Sequence, residues 1–406
     1  MINVIGLGYI GLPTALMLAK SGWKVVGTDL NERLVNDLSL GKIPFEEKGI
    51  SELYHKALDN DIKFSSDYEI TNKYIIAVPT PYIKSSKKLD PSYVISAINN
   101  ILDVCEKDSI IVIESTISPG SIDNYVRPEI EKRGVIIGQD IHLVHAPERI
   151  IPGNMIFELE NNSRTIGADN PKIGEIIKDV YSSFCTSEIV ITDIRSAEMS
   201  KVVENTFRDV NIALANELAK ICRADNMDVY EIIRIANKHP RVNILQPGPG
   251  VGGHCISVDP WFLVGDYPDL TNLILTARKN NDSMPSHVLG RIRDIMRERK
   301  VKDISKVGIY GLTYKENVDD TRESPTLQLL ERMDDHLAYG VKIFDPLIKE
   351  KMVDNQYLNF EDFIENIEIL VIITAHDHIK ENYDLVSQKW ILDTKNIYNY
   401  DGIYKL

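Results

Sequence analysis

The chain opens MINVIGLGYIG, which sets three glycines at positions 6, 8 and 11 directly behind an apolar run. That spacing asks for a strand, a tight turn and a helix. Gly6 makes the turn, Gly8 lets a pyrophosphate approach the backbone, and Gly11 lets the helix pack closely on the strand. A helix starting there offers unbonded N–H groups and a partial positive charge to a phosphate. The next apolar run, KVVGTD, ends in Asp29, whose carboxylate would accept from a ribose 2′-OH and repel a 2′-phosphate. The expectation is a dinucleotide-binding unit for NAD rather than NADP. The competing reading is an ordinary glycine turn with Asp29 as a helix cap.

Apolar runs separated by amphipathic stretches continue to residue 195. They predict strands at Asn3–Gly6, Lys24–Thr28, Tyr74–Val78, Ile110–Glu114, His142–His145, Arg164–Ile166 and Ile189–Thr192, and so a parallel, doubly wound sheet. From Ser196 to about Arg299 the pattern is helical, and a second strand–helix series follows in KVGIYGL, VKIFD, IEILVIIT and WILDT. The fold class expected is α/β: two Rossmann-like doubly wound domains, 1–195 and 301–406, joined by a helical central domain, 196–300, with a long helix. A chain of 406 residues is long enough for such a division.

Composition removes other classes. No run of about 18 uncharged apolar residues predicts a membrane span, and the first residues read as strand and turn rather than a leader. A net charge of -14 argues against nucleic acid as a partner. Of the four cysteines, Cys105, Cys185 and Cys222 fall in or after apolar helical patterns and read as packing residues. None stands in a Cys-x-x-Cys pair, so no metal site is expected and the compartment reads as reducing and cytoplasmic.

Within residues 196–224 apolar side chains recur at the helical period, and Lys201, Asn205 and Arg208 share another face at i, i+4 and i+7. That stripe is compatible with a solvated edge carrying a Glu204–Arg208 pair, and with a site, since asparagine has no propensity reason to lie inside a helix. The apolar face is long enough to pack between subunits. In PGVGGHCISVDPW, residues 249–261, Cys255 lies in a glycine-rich loop that would give a thiol access. Asp259 before Pro260 reads as an N-cap, as a catalytic carboxylate, or as both.

Taken together, VIGLGYIGLPTA, AVPTP, ESTISPG, HAPERIIPG, EMSKVVENTFRDVNIALANE, GPGVGGHCISVDPWF and YGLTYKENVDDTRESPT resemble the UDP-glucose/GDP-mannose dehydrogenase family over essentially the whole chain. The run 204–217, His254–Cys255 and Asp-Pro-Trp-Phe resemble its branch acting on UDP-N-acetyl-D-mannosamine. The resemblance implies a four-electron oxidation of a sugar C6 hydroxymethyl to a carboxylate with two NAD+, on a UDP-N-acetyl-hexosamine, in a homodimer or higher homo-oligomer. It implies that Cys255 is the nucleophile and that Lys201 and Asn205 flank the reacting oxygen. Asp259 and Thr116 would orient a water, and Glu148 would serve thioester hydrolysis. The cofactor set expected is Gly6, Gly8, Tyr9, Ile10, Gly11, Asp29, Arg33, Thr80, Thr116 and Arg322. The substrate set adds Arg149, Arg208, His239, Arg241, Gly252, Tyr314 and Lys315 to Glu148, Lys201 and Asn205.

One departure stands out. Where UDP-glucose dehydrogenases carry Asn-Pro-Glu-Phe-Leu-x-Glu, this chain reads Ala-Pro-Glu-Arg-Ile-Ile-Pro, with Arg149 at the aromatic position. That argues against glucose and suggests Arg149 as a contact to an N-acetyl carbonyl or a phosphate. His376 and His378 read as loop or cap residues, and His142 and His145, on one strand face, as core or hydrogen-bonding histidines. RIRDIMRERKVKD reads as an exposed helix face, and Lys395 as a candidate phosphate contact.

Overall fold

The apolar runs of the first half become eight strands: β1 Ile2–Ile5, β2 Val25–Thr28, β3 Lys63–Ser65, β4 Lys73–Ile76, β5 Ser109–Ile113, β6 Ile141–His145, β7 Arg164–Ala168 and β8 Ile189–Thr192. In this computed structural model, which describes residues 1–406 except His254, Leu337, Tyr400 and Asp401, they form one sheet in the order β3-β2-β1-β4-β5-β6-β7-β8. All pairs are parallel except β6 with β7, which is antiparallel. The predicted sheet is therefore present with one reversed step. The strand β3 escapes the sequence reading because KFS has too few apolar residues to register.

The order reverses between β1 and β4, so the carboxyl ends of these two strands open a crevice at the glycine turn. The helix Gly11–Lys20 buries every residue except its terminal lysine, packing against the sheet through Leu12, Leu16 and Met17 among others. Burying a Leu- or Met-sized side chain is worth about 2 kcal/mol.

The chain forms two units, Met1–Glu204 and Asn205–Leu406. The helix Ile194–Ala224, 31 residues long, continues from the first into the second. The second unit carries the helices Val229–Ala236, Asp259–Asp266, Asn272–Asp282 and Met284–Arg299. They are followed by six parallel strands: β9 Val307–Tyr310, β10 Lys342–Phe344, β11 Gln356–Tyr357, β12 Ile369–Ile372, β13 Trp390–Asp393 and β14 Ile403–Lys405, in the order β11-β10-β9-β12-β13-β14. This second sheet also reverses direction about its first strand, between β9 and β12.

Three local expectations change. His142 and His145 point to opposite faces of β6, as strand geometry requires of residues three apart. His145 is fully buried and bonded through Nδ1 to Ile113 O at 2.9 Å, while His142 bonds Asp108. The basic run on Met284–Arg299 is not wholly solvated, because Arg291 is buried with Nε and Nη2 on Lys405 O at 3.4 and 3.3 Å. Cys185 and Cys222 are buried, as expected, while Cys105 is only half-buried. No helix among the described residues is long and apolar enough to cross a membrane.

Candidate active site

In the first unit β1 runs straight into the glycine turn. Gly6 has φ +88°, a conformation that favours glycine, and a Cβ there would come within 2.6 Å of Ala77 O. A Cβ on Gly11 would overlap Gly6 O, whereas one on Gly8 meets nothing within 4 Å. Gly6 and Gly11 thus close the turn, and Gly8 leaves open the space a pyrophosphate needs. Ile10, at the N-cap position, gives the helix no side-chain acceptor; Leu12 N bonds Gly8 O at 3.2 Å and Pro13 has no N–H, so of the first turn it is Gly11 N that is placed to meet a ligand. Asp29 sits just past β2, and its two carboxylate oxygens accept from Leu7 N at 2.8 Å and Asn31 N at 2.9 Å. One residue thereby ties the phosphate turn to the ribose position, so the residues present fit a dinucleotide.

The other cofactor expectations divide. Thr80 is buried and Thr116 half-buried after β5. Tyr9 stacks on Phe45 with centroids 4.5 Å apart. Arg33 projects into solvent, with its side chain 92% exposed and only a 3.9 Å approach to Asp37.

The loop after β6 places Glu148 and Arg149. Glu148 is buried, accepts from Arg149 N at 2.6 Å, and pairs with Arg164 on β7. Arg164 also pairs with Glu114, the residue after β5, at 3.3 Å, and its guanidinium lies 4.3 Å from the Tyr181 ring centroid. Burial lifts the Glu114 carboxyl to about 7 against the opposing pull of Arg164. Neither Glu114 nor Arg164 was among the expected site residues, although an ionisable group at the end of an apolar strand is a sequence signal for one. Arg149 bonds Ser163 O at 2.8 Å, Thr165 Oγ1 at 2.9 Å and Glu204 Oε1 at 2.7 Å. Glu204 therefore pairs with Arg149 rather than with Arg208, and Arg149 is already engaged by protein groups. Lys201 is buried on the long helix.

In the second unit Asn205, also buried, donates from Nδ2 to Asp259 Oδ2 at 2.6 Å. Asp259 does not cap its helix. Val258 takes the N-cap position, and Asp259 is the first helical residue, its side chain turned to Asn205 and buried. Cys255 is exposed, and its carbonyl accepts from Val258 N at 3.1 Å and Asp259 N at 2.9 Å. His254, quoted with Cys255 above, lies outside the described residues.

The glycines before the thiol explain how its loop is held. A Cβ on Gly252 would approach Glu323 O to 2.5 Å and Tyr314 Cβ to 2.8 Å, and one on Gly253, at φ +83°, would strike the Tyr314 ring. Gly253 N donates to Arg322 O at 2.9 Å. The loop is thus laid flat on the segments carrying Tyr314 and Arg322. The Arg322 guanidinium forks onto buried Asp320, with Nη2 at 2.6 Å from Oδ2. Lys315 is half-buried.

Arg208, His239, Arg241 and Lys395 are exposed. No group of three or more potential metal ligands occurs among the described residues. His376 is buried, bonded to Asp345 at 3.2 Å, Thr313 Oγ1 at 3.1 Å and Asn317 N at 2.9 Å. It fixes the turn that carries Tyr314 and Lys315, a role its sequence neighbours did not reveal.

Three family models match in chain order. The NAD binding domain of the UDP-glucose/GDP-mannose dehydrogenase family matches residues 1–185, its central domain 195–283, and its UDP binding domain 308–400. The chain is 44% identical to a UDP-N-acetyl-D-mannosamine dehydrogenase of Methanocaldococcus jannaschii, over 98% of this chain and 92% of that one. It is 38% identical to an NDP-N-acetyl-D-galactosaminuronic acid dehydrogenase of Ralstonia nicotianae, over 98% and 96%. Among solved structures, the UDP-N-acetyl-mannosamine dehydrogenase Cap5O of Staphylococcus aureus superimposes with a TM-score of 0.88 at 41% identity, covering 100% of this chain and 97% of the other. Residues 1–185 are an NAD binding domain, and the chain is a member of the UDP-glucose/GDP-mannose dehydrogenase family, an NAD-dependent nucleotide-sugar oxidoreductase.

Proposed function

We propose that the chain is a UDP-N-acetyl-D-mannosamine 6-dehydrogenase, converting the C6 hydroxymethyl to a carboxylate. The observation that carries the mechanism is Cys255, exposed on a loop clamped to Tyr314 and joined through its carbonyl to the helix of Asp259. Similarity to the mannosamine enzymes supports the acetamido sugar.

NAD+, when bound, supplies a hydride acceptor, and two are consumed per sugar. The Lys201 ammonium and Asn205 amide stabilise the alkoxide left when the alcohol gives its proton to solvent, and loss of the C6 hydride from that alkoxide gives the aldehyde. The aldehyde produced has no hydride that can leave to give an acid derivative until a nucleophile makes its carbon tetrahedral. Cys255 thiolate adds to it as a thiohemiacetal, which loses the second hydride to become a thioester. Water, oriented by Thr116 and Asp259 and deprotonated by Glu148, attacks the carbonyl and expels the thiolate. Asp259 acts through Asn205 as well, since their 2.6 Å bond fixes the amide.

The remaining assignments follow. Residues 1–195 hold NAD, 196–300 form the helical centre, and 301–406 take the nucleotide part through Tyr314 and Lys315. Arg208, His239, Arg241 and Gly252 contact the sugar or phosphates, Arg322 reaches the cofactor, and Arg149 orients the Glu148 loop. Val203, Phe207, Leu214 and Ile221 are exposed along the long helix at steps of four and seven, the pattern of a homodimer face in a cytoplasmic enzyme.

Incubation with a panel of UDP-sugars and NAD+, counting NADH per sugar, tests the reading. Two NADH and a uronate from UDP-N-acetyl-D-mannosamine are expected, and one NADH with free aldehyde overturns it. Cys255→Ser must abolish release of the acid.

A further inference from the structure

We propose that Glu114, by sharing the buried Arg164 guanidinium with Glu148, is a positioning group for thioester hydrolysis. The inference rests on the role given to Glu148 above.

Both oxygens of Glu148 are engaged within the first unit, Oε1 by the Arg149 N–H and Oε2 by Arg164. A carboxylate whose partner is an undivided guanidinium is a weak base, because protonating it would leave a buried cation uncompensated. Here the guanidinium is shared. Its Nη1 faces Glu114 Oε1 at 3.3 Å, so one buried cation serves two buried carboxylates.

The surroundings of Glu114 suit a carboxyl that gains and loses a proton. It is 1% exposed, with Tyr181 OH donating to Oε1 at 3.1 Å and Oε2 accepting no bond among the described residues. The ionisable groups facing it are Arg164 from β7, Tyr181 from the helix Pro171–Ser182 and Glu148 from the loop after β6. Thr14 approaches from the helix Gly11–Lys20, and Cys185 lies nearer Arg164. Desolvation and the like charge of Glu148 raise its carboxyl to about 7, and Arg164 limits the rise.

The consequence follows from charge. With Glu114 protonated, Arg164 holds Glu148 alone. With Glu114 ionised, the guanidinium is divided and holds Glu148 less tightly as the water proton is transferred. The proton taken by Glu148 comes from water, whose oxygen bonds the thioester carbon as the C–S bond breaks and Cys255 thiolate leaves. No other reactant is needed.

The experiment is single-turnover breakdown of the acyl-enzyme, followed as uronate release from pH 6 to 8 in wild type, Glu114→Gln and Glu148→Gln. Wild type should show a rise on the order of threefold to tenfold centred near 7, the size expected of one like charge acting on a neighbour. Glu114→Gln should flatten it, while Glu148→Gln lowers the rate throughout. If Glu148→Gln leaves breakdown unchanged, the role of Glu148 is wrong and this inference falls with it. If Glu148→Gln slows breakdown but Glu114→Gln keeps the wild-type profile, only this inference is overturned.

Should Glu114→Gln not fold, carboxyl carbon NMR on the otherwise intact protein decides. Glu198 is another glutamate lifted to about 7 by burial, so the titration is done in Glu198→Gln. One glutamate titrating between pH 6 and 8 is expected, and none overturns the proposal.

Discussion

Asn205 donates its side-chain amide to Asp259 across 2.6 Å, with both residues buried. The long helix and the start of the helix behind Cys255 are therefore linked by a buried polar bond. Asp259→Ala should leave the Asn205 amide buried without its acceptor, costing about 1–3 kcal/mol. Urea denaturation of the second unit would show it. Asp259→Asn, which keeps the shape and can still accept, should recover most of the stability but little of the turnover.

The glycine turn separates folding from ligand binding. Gly8→Ala meets nothing within 4 Å, so the melting temperature should stay unchanged while NAD affinity drops on the order of tenfold or more. Gly11→Ala should do the reverse of a selective change, because its Cβ overlaps Gly6 O and the turn itself must move. Calorimetric titration with NAD+ beside thermal melting distinguishes the two.

Gly252 shows how closely the thiol loop lies on its support. A methyl there would press on Glu323 O at 2.5 Å and on Tyr314. Gly252→Ala should lift the loop, slow alkylation of Cys255 or scatter its rate, and lower kcat more than NAD affinity. Unchanged kcat would mean that the loop's seat on Tyr314 is irrelevant to catalysis.

His145 makes the first unit sensitive to acid. Its Nδ1 bonds Ile113 O and its Nε2 has no partner among the described residues, so burial holds the ring neutral with a pKa lowered to about 4. Between the ordinary histidine value of about 6.5 and 4 the unfolded chain binds the extra proton. Stability is then complete above about 6.5 and is lost as pH falls toward 4, by about 3 kcal/mol. Amide exchange of β5 and β6 across that range should steepen in wild type and flatten in His145→Asn.

How much of this was legible beforehand depends on the range of the interactions. The glycine turn, Asp29 and the two strand–helix series were readable because spacing along the chain alone fixes them. The reversed pairing of β6 with β7 was not, since a strand's direction depends on its neighbour and not on its own residues. The short strand Lys63–Ser65 was missed for lack of apolar side chains, and it pairs through backbone only with β2.

The site divides the same way. The exposure of Cys255 could be read from its glycines, because access is a local property. Asp259 looked like a cap, and only a residue 54 positions away made it an acceptor for Asn205. Glu204 looked like the partner of Arg208, which lies one turn along, yet Arg149 reaches it from the loop after β6.

The sequence by itself determined the two strand–helix series, the glycine turn and the accessible setting of Cys255, since each is written in residues a few positions apart. The tertiary structure alone decided which ionisable groups share a cation. Glu114, Glu148 and Arg164 are strangers in the chain, brought together by β5 and β7 on either side of β6 and by the loop after β6. In that buried setting charge is felt strongly, and partnership rather than residue type fixes what each carboxylate can do.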